Sequence, residues 1–94
     1  MLSLAGKVTH RNGNAPLSGA NADRVDFGSQ VKYVVIRNTH ATRALDVSFD
    51  NWQTVWQIAA ATELSGHWFL DHLHLRGAHA VDVVGYEIIA TQMT

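Results

Sequence analysis

The chain has 94 residues, with seven Lys and Arg against eight Asp and Glu, six His, no Cys and a formal net charge of -1. That length suits one domain with one core. The lack of cysteine excludes disulfides, thiolate nucleophiles and cysteine zinc sites, and the near-neutral charge excludes a long-range field for nucleic acid or an acidic membrane.

Charged residues make up only 16% of the chain, against the usual quarter or so. Much of the surface is therefore neutral or apolar, and the expectation is contact with other proteins. No stretch reaches the roughly 18 to 20 apolar residues that cross a bilayer. The start, Met1-Leu2-Ser3-Leu4-Ala5-Gly6-Lys7, lacks the charged beginning and long apolar run of a signal peptide. Neither nucleic acid nor membrane is expected as a partner.

Residues 1–22 contain Asn12-Gly13-Asn14, Pro16, Ser18-Gly19 and Asn21, all turn formers. Leu2, Leu4, Val8 and Leu17 are scattered among them with neither a strand nor a helix period. This segment reads as an extended N-terminal arm whose apolar residues become ordered on a partner, followed by a β-domain over residues 23–94. From residue 23 onward, short runs rich in β-branched and aromatic residues alternate with turn clusters. The predicted strands span residues 24–27, 31–37, 45–49, 54–58, 68–76 and 81–89. Residues 31–37 are apolar at successive positions, as in a central strand covered on both faces. In residues 45–50, strict alternation puts Leu45, Val47 and Phe49 toward a core and Asp46, Ser48 and Asp50 toward water. Asp50-Asn51 makes a turn, and Trp56 with Ile58 gives the returning inward pair of a hairpin. Residues 56–64 hold good helix formers, but the run is short and Ser65-Gly66 closes it, so one turn is the most it supports. In the fifth predicted strand Phe69, Leu73 and Leu75 take the core face, and Trp68, Leu70, His72 and His74 the opposite one. Short strands with frequent turns and no long helical period predict an all-β fold, a small antiparallel β-sandwich or jelly-roll-like barrel.

The only candidates for chemistry are the histidines. His72 and His74 are two apart on a strand and share a face, but a metal site needs further ligands, and no spaced Cys/His set or His-Glu-x-x-His occurs. No metal and no cofactor are expected. No Gly-x-Ser-x-Gly elbow accompanies a serine, the aspartates of the hairpin alternate onto its wet face, and the glycines form no phosphate loop. The chain reads as a non-enzyme. Trp52, Trp56 and Trp68 are many for this length. Trp56 alternates with Ile58 toward the core, leaving Trp52 and Trp68 as interface anchors or as platforms for sugar stacking. The expected interface set is thus Leu2, Leu4, Val8, Leu17, Trp52, Trp68, His72 and His74.

The segments Val31-Lys32-Tyr33-Val34-Val35-Ile36-Arg37-Asn38-Thr39, Leu45-Asp46-Val47-Ser48-Phe49-Asp50 and His72-Leu73-His74-Leu75-Arg76-Gly77 resemble the strand chemistry of small β-sandwich virion proteins of tailed bacteriophages. The likeness covers about residues 31–85 and carries no catalytic signature. It implies a structural role in the virion, as a head decoration or cement protein, with a tail or head-fibre component as the alternative. The implied partners are a major capsid or other virion protein and further copies of the chain, a trimer in particular. The histidines depart from that pattern. From the residues alone, a carbohydrate-binding β-sandwich module remains the competing class.

Overall fold

The structure is a computed structural model that describes residues 8–16, 23–79 and 82–92. Among these it has seven strands and no helix: β1 (Val8–Ala15), β2 (Asp23–Asn38), β3 (Leu45–Ser48), β4 (Trp56–Ile58), β5 (Glu63–Gly66), β6 (Leu70–Gly77) and β7 (Val84–Gln92). Every pairing is antiparallel. The all-β, antiparallel expectation holds.

The architecture turns on β2. Its first part, Asp23 to Asp26, pairs with β6, whereas Tyr33 to Asn38 pairs with β7, and Val34 to Arg37 also pairs with β5. Between the two parts the inward side chains change phase, from Val25, Phe27 and Val31 to Val34 and Ile36. One extra residue is enough to exchange the faces of a strand. Gly28 lies at the start of this stretch with φ at 79°, in open space where an added Cβ would touch nothing. Its backbone angle is therefore what favours glycine there, and not the room around it. The sequence reads this stretch as two separate strands because Gly28-Ser29-Gln30 interrupts the apolar run.

The change of partner along β2 divides the hydrogen-bonded order β1-β7-β2-β6-β3-β4, with β5 beside the second part of β2, into two layers. One contains β1, β7, the second half of β2, and β5. The other contains the first half of β2, β6, β3 and β4. Leu45 and Val47 of β3, Leu73 and Leu75 of β6, Val84, Ile88 and Ala90 of β7, and Val34 and Ile36 of β2 are all fully buried and belong to one core. The thinnest dimension is 17 Å, in keeping with two sheets packed about 10 Å apart.

Several positions differ from the sequence reading. Val8 to Ala15 pairs without interruption along β7, from Val8 with Thr91 to Ala15 with Val84. The middle of the expected arm is thus an edge strand of the domain's own sheet, and the body extends well before residue 23. Its polar composition hides it from any period, since only Ala15 is buried. Its end is fixed by Gly77 N–H donating to the Pro16 carbonyl at 2.8 Å. β5 also escapes the sequence reading, because Glu-Leu-Ser-Gly carries a single apolar residue and is placed by β2. Residues 31–37 are central as expected but bury only one face: Val34 and Ile36 are inside, Lys32, Tyr33 and Val35 half-buried and Arg37 exposed. The hairpin forms with Leu45 opposite Ile58 and Val47 opposite Trp56.

Two further corrections concern the hairpin. Ser48, expected in water, is fully buried, because its hydroxyl organises the following turn. Trp56, expected inside, pairs with Val47 but stands at the first position of a three-residue edge strand. It is 43% exposed.

Candidate functional site

Two surfaces stand out. The first is the outer side of β6, where alternation puts Leu73 and Leu75 in the core and turns His72, His74 and Arg76 outward. Register sets Asp26 opposite His72, Arg24 and Ser48 on either side of His74, and Asp46 opposite Arg76. The two imidazoles are 5.3 Å apart, nearly perpendicular. His72 Nδ1 is 2.6 Å from Asp71 Oδ1, and the Arg24 guanidinium binds Asp26 at 3.1 Å. The hydrogen bond from His72 is the main reason the Asp71 carboxyl stays below the ordinary carboxylate range. Burial, followed by the charges of His72 and Arg24, pushes His74 below the usual imidazole value.

Trp52 is brought to this face by a tightly wired turn. Ser48 Oγ donates to Asp50 Oδ1 at 2.9 Å and accepts Trp52 N–H at 2.8 Å, while Thr54 N–H donates to the same Asp50 oxygen at 2.8 Å. These bonds, that from the Thr54 backbone first, keep the Asp50 carboxyl below its usual value. They also hold Asn51 and Trp52 at φ 58° and 68°, the left-handed region that a bulky side chain enters only when its surroundings impose it. The indole lies 4.4 Å from the Arg76 guanidinium and 6.1 Å from the His74 ring. One of its faces is therefore occupied by a cation.

The second surface is at the β4 end of the same layer. Phe49 and Trp68 pack at 5.0 Å, and Trp68 meets Trp56 at 6.3 Å. Phe49, Trp68 and Leu70 lean on the core, so Trp68 and Leu70 are not on the histidine side as the simple alternation has it. Trp68 sits so close over Gly66 that an added Cβ would come within 2.8 Å of the ring. Phe69, expected in the core, is turned out instead and is 65% exposed; Val55, next to Trp56, is 47% exposed. The reason is that β6 begins at Leu70, so residues 67–69 are outside the ladder and escape its alternation. The outcome is an apolar rim of Val55, Trp56, Trp68 and Phe69.

Of the expected interface residues, His72, His74 and Trp52 come together, and Trp68 belongs to the rim. Val8 is on the distant β1 edge and is 60% exposed. Leu2, Leu4 and Leu17 lie outside the described residues.

A polar knot ties the end of β2 to β4 and the loops beside it. Asn38, fully buried at the end of β2, donates from Nδ2 to the carbonyls of Arg43, Ile58 and Ala59 at 2.7 to 3.3 Å and accepts His40 N–H at 2.9 Å. Sequence reasoning passed over this residue because nothing in a strand's last polar position announces burial. Nearby, Arg43 Nε donates to Asp82 at 2.8 Å, and this bond chiefly holds the Asp82 carboxyl low. Among the described residues there is no concave pocket and no cluster of three or more metal-ligating side chains.

No protein-family model matches the chain, and no curated protein matches it in sequence. Among solved structures, the coat protein of Tobacco streak virus is similar at a TM-score of 0.43 and 11% identity, over 100% of this chain and 90% of that one. A likeness that distant assigns no role.

Proposed function

We propose that the chain is a non-enzymatic structural protein of a virion, a capsid decoration or cement protein that works through protein contacts at the apolar rim and through association with copies of itself. The observation that carries this reading is the rim. Val55, Trp56 and Phe69 are exposed beside the Trp56–Trp68 pair on a domain otherwise sparing in charge, and tryptophans covered by a partner dominate the energy of protein interfaces. The resemblance of its strand segments to those of tailed-phage virion proteins supports the virion setting. The wired turn and the Asn38 knot support a rigid scaffold, which lowers the ordering cost of docking.

The test is association of the full chain. Light scattering coupled to size-exclusion chromatography should report an oligomer, the trimer being favoured. The chain should also co-sediment with heads assembled from the major capsid protein of the same genome. The double variant Val55→Ser, Phe69→Ser should melt like the parent and lose head binding at least tenfold. Unchanged binding by a normally folded variant would overturn the rim as the contact. A parent chain that is monomeric and ignores the heads would overturn the virion reading.

A further inference from the structure

We propose that His72 and His74 form a two-imidazole chelate for a late first-row divalent cation, Cu2+ above all, on the outer face of β6. Residues two apart on a strand point to one side, and here the rings stand 5.3 Å apart. Imidazole nitrogens bind such ions at about 2.0–2.1 Å, so two rings sharing one ion have their centroids roughly 5 Å apart. The existing separation is therefore close to the chelating one.

The surroundings prepare one ligand. Asp71 Oδ1 lies 2.6 Å from His72 Nδ1, which keeps the ring proton on that nitrogen and leaves the Nε2 lone pair free, the carboxylate–histidine arrangement that orients metal ligands. Asp26, opposite His72, offsets the positive charge of Arg24 beside His74. Trp52, 6.1 Å from His74, walls one side. The other described histidines are engaged apart from one another: His10 with Glu87, His40 with the Thr42 and Arg43 amides, His67 against Tyr33, and His79 with the Asp82 amide. Two protein nitrogens with solvent in the remaining positions suit Cu2+, which stands at the head of the divalent affinity order for nitrogen ligands and accepts tetragonal sites.

The experiment is calorimetric titration of CuCl2 into the full, untagged chain near pH 7, with electron paramagnetic resonance of the one-to-one sample. The expected result is one tight ion per chain with hyperfine structure from two imidazole nitrogens, and at least a tenfold loss of affinity in both His72→Gln and His74→Gln. ZnCl2 should bind more weakly at the same place. The paired variant His10→Gln, His67→Gln should bind like the parent. Circular dichroism of each variant verifies that the fold is kept, and the His72→Asn and His74→Asn substitutions provide a second pair should either glutamine disturb it. Affinity unchanged by loss of either His72 or His74, or a spectrum with a single imidazole nitrogen, would overturn the chelate.

Discussion

At Asn38 one fully buried side chain serves four backbone groups, three carbonyls and one amide, of which the Ile58 carbonyl is buried as well. Stranding buried polar groups costs about 1–3 kcal/mol each when nothing replaces the bond. Asn38→Ala should therefore lower unfolding free energy by about 1–3 kcal/mol, read from urea titration. A loss under about 1 kcal/mol would mean that the loops relax to reach solvent. Asp50 performs the matching task at the surface. Its folded carboxyl titrates below the ordinary carboxylate value because it accepts Thr54 N–H and Ser48 O–H. The stability it contributes is present above the unfolded value near 3.9 and is lost as pH falls through the lower folded value. Asp50→Asn should flatten the decline in melting temperature below about pH 4 and leave the profile between pH 5 and 7 parallel to the parent's. An identical acid limb in both proteins would show the turn to be held by something else.

At the scale of the strand, β1 separates what can be read from composition from what cannot. Its eight residues, Val-Thr-His-Arg-Asn-Gly-Asn-Ala, bury only the last, so no periodicity marks them, and their extended form comes from the ladder offered by β7. Tyr86 lies over Gly13, within 3.2 Å of where a Cβ would stand, and His10 meets Glu87 at 3.0 Å. Deleting residues 1–19 should therefore cost the isolated domain stability, at least about 1 kcal/mol, or roughly 4–8 °C in melting temperature for a chain of this size. Melting unchanged by the deletion would return the segment to a dispensable arm. The strands legible beforehand are those with their own alternation: β3, β6 and β7, whose inward residues Leu45, Val47, Leu73, Leu75 and Ile88 are all buried. Of the site, His72 and His74 were legible for the same reason, since a period of two places them together. Phe69 and Trp56 were not, because each sits where a strand begins and its cover ends. Burial there depends on the reach of the opposite layer, which local sequence does not encode.

For the molecule as a whole, the two layers differ in their protection. The apolar rim and the histidine face both belong to the layer ended by the three-residue β4, while β1 guards an edge of the other. Exposed apolar side chains occur in both layers, Val55, Trp56 and Phe69 in the β4 layer and Val8, Val83 and Ile89 at the other, and Asn38 ties the end of β2 to the Ile58 carbonyl of β4. β2 itself belongs to both layers, with Val25 and Phe27 buried in one part and Val34 and Ile36 in the other. Neither layer keeps all its strands if the other comes apart. Amide exchange should register this as a single slow class that includes residues of both halves of β2, opening only with global unfolding, while β4 and β1 exchange through local fraying. Distinct slow rates for the halves of β2 would show that the layers open separately. A strand held in common makes the domain an all-or-none object, so that a partner gripping the rim raises the unfolding free energy of the far edge as well, and attachment at one side is felt as longevity throughout.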